Sequence, residues 1–152
     1  MNTFKSKFIF MLWLALGMGV LQSQPLQAAG VNTDSAASRQ RILKSALRGY
    51  ETALRINSAT IVESAIFNSV KMKLRAPEQD YAKIIGGLRR LALEAGTAGL
   101  RYKAYLAATF ITNPELLASP EQRAQLQSFT EETRNEFFAL LAATLNQQLA
   151  AA

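Results

Sequence analysis

Residues 53–72 read ALRINSATIVESAIFNSVKM and residues 92–111 read ALEAGTAGLRYKAYLAATFI, and the second stretch overlays the first at a spacing of 39. In that register Ala53 meets Ala92, Leu54 meets Leu93, Ser58 meets Thr97, Ala59 meets Ala98, Ile61 meets Leu100, Ala65 meets Ala104 and Met72 meets Ile111. Pro77-Glu78 then matches Pro114-Glu115 after the second unit shortens by two residues. A recurrence near forty residues, helical in pattern throughout, marks stacked helix pairs, because one pair cannot bury its apolar face alone and a neighbour must cover it. The repeat predicts an architecture and leaves the activity open.

Outward from the repeat, the apolar spacing divides the chain into helices. A first helix is expected over residues 39–56, with Ile42, Leu43, Ala46, Leu47, Tyr50, Ala53 and Leu54 on one stripe and Asn57 as its stop. Thr60-Ile61-Val62-Glu63 has the form of a capping box and opens a second helix running to about Leu74. Pro77 suits the first turn of a third helix over residues 77–95, which would bury Tyr81, Ile84, Ile85, Leu88, Leu91 and Ala92 and close on a left-handed Gly96. Gly86-Gly87 falls inside it; mid-helix glycine costs about 1 kcal/mol relative to alanine, so the pair implies a close helix contact or a kink. A fourth helix over residues 98–112 turns Leu100, Ala104, Ala107, Ala108 and Ile111 inward. Ser119-Pro120-Glu121-Gln122 is a second capping signal, and it is expected to open one long final helix with Leu126, Phe129, Phe137, Phe138, Leu141 and Leu145 on its apolar face. No stretch alternates as a strand would.

The helix pairs at residues 39–74 and 77–112 resemble HEAT repeats, whose second helix typically opens with valine, arginine, two variable residues and alanine. Leu100-Arg101-Tyr102-Lys103-Ala104 follows that pattern, and Ile61-Val62-Glu63-Ser64-Ala65 keeps its apolar residue and its alanine but has Val62 in the arginine position. The small alanine lets neighbouring helix axes approach. The family's helix-A proline and turn aspartate are missing, with Asn57 and Gly96 near the latter position. The resemblance implies an all-α, short right-handed α-solenoid of two HEAT-like pairs, covered by the long C-terminal helix as a cap. It also implies a protein-binding role.

The start of the chain is expected to direct export. Lys5 and Lys7 precede an apolar run from Phe8 to Leu21, followed by polar Gln22-Ser23-Gln24-Pro25 and small Ala28-Ala29, so residues 1–29 have the form of a signal peptide cleaved near Ala28 or Ala29. Residues 30–38 are small and polar and are expected to be a flexible leader, leaving residues 39–152 as one helical domain in the periplasm or outside the cell. With no cysteine, neither disulfides nor a lipidated N-terminal cysteine is available. Charge is uneven: residues 39–103 carry 13 basic and 5 acidic side chains, whereas residues 104–152 carry 2 basic and 5 acidic.

The chain has no histidine and no cysteine, which removes imidazole bases, thiol nucleophiles and the commonest transition-metal ligands. Glu131-Glu132 and Glu136 lie beside Arg134, a spacing that suits local ion pairing better than a catalytic pair. No phosphate loop or calcium loop is present. We therefore expect a protein that is not an enzyme and needs no cofactor or metal. The candidate partner-binding residues are Lys71, Lys73, Arg75, Arg89, Arg90, Arg101, Tyr102, Lys103 and Tyr105, basic clusters interleaved with aromatics. Two partners suit them: an unidentified protein, or anionic envelope lipid or polysaccharide drawn to the basic half. Self-association through an uncovered solenoid end is a third reading, and nucleic acid is not expected.

Overall fold

A computed structural model describes residues 30–117 and 119–151 of the chain. The expected export segment, residues 1–29, lies outside the described residues. Among the described residues six helices succeed one another: α1 (Gly30–Ala53), α2 (Ala59–Arg75), α3 (Ala82–Glu94), α4 (Ala98–Thr112), α5 (Pro120–Ser128) and α6 (Arg134–Ala151), with a short 3-10 turn at Pro114–Leu116. There is no strand among the described residues, and none of their helices is long and apolar enough to cross a membrane.

The repeat organises the packing. α1 pairs with α2 and α3 pairs with α4, then α2 lies against α4 and α1 against α3. Gln40 and Gln79, which are 39 residues apart, exchange two amide hydrogen bonds of 3.2 Å, so equivalent positions of α1 and of the turn before α3 face one another. Ala104 is fully buried on α4 and Ala65 is buried on α2, the two alanines that the repeat aligns. Gly87 supports the other contact. A Cβ there would sit 3.3 Å from Leu54 Cδ1, so the bare backbone makes room for Leu54 at the end of α1. A Cβ at Gly86 would meet nothing within 4 Å, so of the glycine pair only Gly87 serves a close contact.

Several helix limits differ from the sequence expectation. α1 begins at Gly30, ahead of the expected start at residue 39, and Ile42, expected on its buried stripe, is 68% exposed. The N-cap of α2 is Ser58 rather than Thr60, with no side-chain capping bond, and Glu63 pairs with Lys103 and Arg134 instead of reaching back. Pro77 lies in a turn and α3 starts only at Ala82, where Asp80 Oδ1 accepts from the Ala82 N–H at 2.9 Å. α3 ends on Ala95 in extended conformation, and Gly96 does not enter the left-handed region. Arg101 Nη1 donates to the Ala95 carbonyl at 2.7 Å and satisfies it without a glycine cap.

The long C-terminal helix is two helices. Ser119 caps α5 as expected, its Oγ accepting from Gln122 N–H, with Pro120 at the first position. The helix then stops at Phe129, whose ψ of 148° is extended, and Thr133 Oγ1 accepts from the Thr130 N–H at 3.0 Å before α6 starts. The break folds α6 back over the α2–α4 layer. Phe137 of α6 meets Phe67 of α2 edge-on at 4.8 Å, and Phe129 and Phe138 stand edge-on to the same ring at 6.0 and 5.2 Å. Each such aromatic pair is worth about 0.5–1.5 kcal/mol beyond the area it buries. Leu126, Leu141 and Leu145 complete this part of the core.

Candidate functional site

The two hairpins end differently. In the register of 39, Leu54 corresponds to Leu93 and Ile66 to Tyr105. Leu54 is 1% exposed and Ile66 is 0% exposed, whereas Leu93 is 81% and Tyr105 52% exposed. The face through which the first hairpin receives the second thus has a counterpart on the second hairpin that no described residue covers. Leu93 and Tyr105 line a shallow groove of about 390 Å³ between α3 and α4, together with Arg89, Ala92, Ala108 and Thr109. The exposed Leu93 and Tyr105 beside small residues give this edge an apolar surface.

On the opposite edge, Tyr50 and Ala53 of α1 and Ile61 and Ser64 of α2 line a groove of about 480 Å³ that the turn between α5 and α6 borders. Glu131, in the turn between α5 and α6, accepts from Ser64 Oγ at 2.7 Å and from Asn68 Nδ2 at 2.6 Å, so the outer side of α2 has polar partners within the chain. Arg134 donates to the other Glu131 oxygen at 2.5 Å, and its Nε stands 3.6 Å from Glu63, the only buried side-chain nitrogen or oxygen among the described residues with no hydrogen-bond partner. The Glu131–Arg134 pair is the local ion pairing that the sequence implied, although Glu131 and Glu132 sit in a turn and not on a helix.

The basic candidates do not gather on one surface. Lys71 is buried, donates to the Phe129 carbonyl and lies 5.3 Å from the Phe67 ring centre. Burial foremost, with the Arg75 charge adding to it and Glu131 opposing, holds its ammonium below the ordinary lysine range. Lys73 donates to the Pro77 carbonyl at 2.9 Å and covers the Tyr81 ring at 4.8 Å. Arg90 donates to the Leu54 carbonyl at 3.2 Å, bracing one hairpin against the other, while Arg101 serves the turn of its own hairpin. Lys103 pairs with Glu63, donates to Asn135 at 2.8 Å and lies over Phe138 at 5.4 Å. Among the described residues, Arg75 and Arg89 enter no hydrogen bond or ion pair, and both are exposed. Tyr102 is exposed on α4 near the groove that Arg89 and Tyr105 line.

Of the sequence candidates, the structure brings together Arg89 and Tyr105, gives Lys71, Lys73, Arg90, Arg101 and Lys103 bracing roles, and leaves Arg75 and Tyr102 exposed. Leu93 escapes sequence reasoning because the periodicity of α3 points to its buried stripe; the signal is present in the repeat, since the counterpart of an interface residue in the last unit has no further unit to cover it. No group of three or more His, Cys, Asp or Glu among the described residues is arranged to hold a metal ion. Comparison of the chain with protein-family models, with curated proteins and with solved structures finds no match.

Proposed function

We propose that the chain is an exported, non-enzymatic helical scaffold, a short HEAT-like solenoid of two stacked hairpins, that binds a protein through the open edge of α3 and α4. The observation that carries this reading is the exposure of Leu93 and Tyr105 at positions whose counterparts in the first hairpin are buried. An apolar centre with aromatic and arginine margins is the usual composition of a protein-binding patch. The alternative, capture of anionic lipid or polysaccharide by the basic half, keeps Arg75 and Arg89 of the candidate set exposed, while the other five cations of that set are engaged by partners within the chain.

The test is a pull-down from the envelope fraction with the wild-type protein and with Leu93→Asp, each at low and high salt. A defined protein that the wild type retains at high salt and the variant loses supports the reading. Capture that vanishes with salt and is indifferent to Leu93 favours the anionic surface, since exposed charge contacts are screened while an apolar centre is not.

A further inference from the structure

We infer that the groove between α1 and the start of α3 is a second docking surface, one that takes an acidic segment of a partner protein. It shares no lining residue with the Leu93–Tyr105 edge and does not depend on it. Arg41, Lys44 and Arg48 stand three and four residues apart on α1, so they occupy one face of it and are separated by about 4.5 and 6 Å along its axis. All three are exposed, and among the described residues their side chains enter no hydrogen bond or ion pair. Like charges at these spacings repel one another along a helix. Glu51, the acidic residue one turn beyond Arg48, is held by Arg55 at 2.8 Å and has Lys83 at 3.9 Å. Nor do the three cations serve the helix terminus, because α1 has no basic residue in its last turn.

The positive charge continues across the groove. Lys44 and Arg48 of α1 and Lys83 of α3 line a groove of about 220 Å³, with Glu51 and Asp80 among them. A second groove of about 710 Å³ shares Glu51 and Lys83 with the first and is lined also by Arg55, Gly86, Gly87 and Arg90. Gly86 weakens α3 as any mid-helix glycine does and makes no close contact within the fold, so it leaves the α3 wall bare where an incoming backbone can approach. The lining also selects the class of partner. No aromatic side chain lines either groove, so nucleic acid bases have nothing to stack on. None of the large exposed apolar residues, Ile42 included, lines them, so nothing there enters an acyl layer as a membrane-binding helix does. Glu51 and Asp80 repel a uniformly anionic polymer, whereas a protein segment can set carboxylates against the cations and neutral or basic side chains against the two acids.

The protein, purified after expression of the full chain, is titrated with a fluorescent alanine-based peptide whose glutamates lie three and four residues apart, and separately with phosphatidylglycerol vesicles, each at low and high salt. The peptide is expected to bind with an affinity that falls as salt rises. Lys44→Glu combined with Arg48→Glu should weaken it about tenfold or more, and Gly86→Gln, which fills the bare wall, about threefold. Neither protein should lose helix by circular dichroism, because all three positions are exposed. Arg75→Glu combined with Arg89→Glu makes the same change of net charge at exposed positions that line neither groove and should bind as the wild type does. Leu93→Asp should also bind the peptide normally, so this groove and the α3–α4 edge are read separately. A wild type that fails to bind the peptide below about 1 mM at low salt overturns the inference. Equal losses in the two charge-reversed proteins overturn it too, because net charge and not the groove is then responsible. So does binding to the vesicles without binding to the peptide, which assigns the cations to a lipid surface. Normal binding by Gly86→Gln takes the α3 wall out of the site and overturns the groove as the docking surface.

Discussion

Leu54 and Leu93 occupy the same position in two successive helical hairpins, and one is sealed while the other faces solvent. The difference lies in the segment that succeeds each hairpin. After the first comes a second helix pair that brings Gly87 and Arg90 to Leu54; after the second comes Pro114, and the chain turns away into α5 and α6, which cover the α2–α4 layer instead of the α3–α4 edge. The repeat therefore seals an apolar residue where it is continued and exposes its counterpart where it stops.

The largest expected effect belongs to this leucine pair. Leu54→Ala should destabilise the protein by about 2–5 kcal/mol, the usual cost of emptying a sealed leucine site. Leu93→Ala, measured by chemical denaturation at low protein concentration, should change stability by no more than about 0.5 kcal/mol. Equal losses at the two positions would show that Leu93 is covered within the protomer and would break the comparison. If the Leu93→Ala loss grows with protein concentration, the covering comes from association.

Much of this contrast is legible in the sequence, and the part that is not has a physical cause. The alignment of Ala65 with Ala104 announces two small residues at helix contacts, and both are buried. The break between α5 and α6 is hidden because Leu126, Phe129 and Phe137 keep a helical spacing across it; Thr133-Arg134-Asn135-Glu136, with the form of a capping box, is the available signal that a new helix begins. The destinations of the cations are not legible at all. Lys71, Arg90 and Arg101 end on the carbonyls of Phe129, Leu54 and Ala95, and a backbone oxygen carries no trace in the sequence of which residue will seek it. The basic run thus has the appearance of a surface patch when it is mainly internal bracing.

The beginnings of the two hairpins differ as their ends do. In the register of 39, Ile42 corresponds to Tyr81, and Ile42 is exposed on an uninterrupted α1 while Tyr81 is buried at the start of α3. Tyr81 Oη donates to the Ala76 carbonyl at 3.0 Å and anchors the turn. Burial, helped by the charges of Glu78 and Tyr50, raises its phenol above the ordinary range. The unfolded chain loses this proton near pH 10 while the native chain keeps it, so the stabilisation is complete below about pH 10 and declines as pH rises further. Tyr81→Phe should cost about 0.5–1.5 kcal/mol at neutral pH, and the gap from wild type should narrow above about pH 10. Lys71 titrates in both proteins and cancels from the difference. A gap that is the same at neutral pH and above pH 10 would mean that Tyr81 titrates as freely as an exposed tyrosine and does not anchor the turn.

The smallest effect resolves the contact between the hairpins to one carbon atom. Gly86→Ala meets nothing within 4 Å and should stabilise α3 by about 0.5–1 kcal/mol through helix propensity alone. Gly87→Ala has the same propensity gain, but its new Cβ lies 3.3 Å from Leu54 Cδ1, and Leu54 is too tightly enclosed to withdraw freely. Its net gain should therefore fall below that of Gly86→Ala or reverse sign. The cause can be isolated by repeating both substitutions in a Leu54→Ala background, where the opposing atom is gone. Gly87→Ala should then recover the full gain while Gly86→Ala is unchanged, leaving a coupling energy for the 54–87 pair alone. If the two alanines behave alike in both backgrounds, Leu54 does not press on Gly87, and the seat that distinguishes Leu54 from Leu93 is not where the hairpins are held.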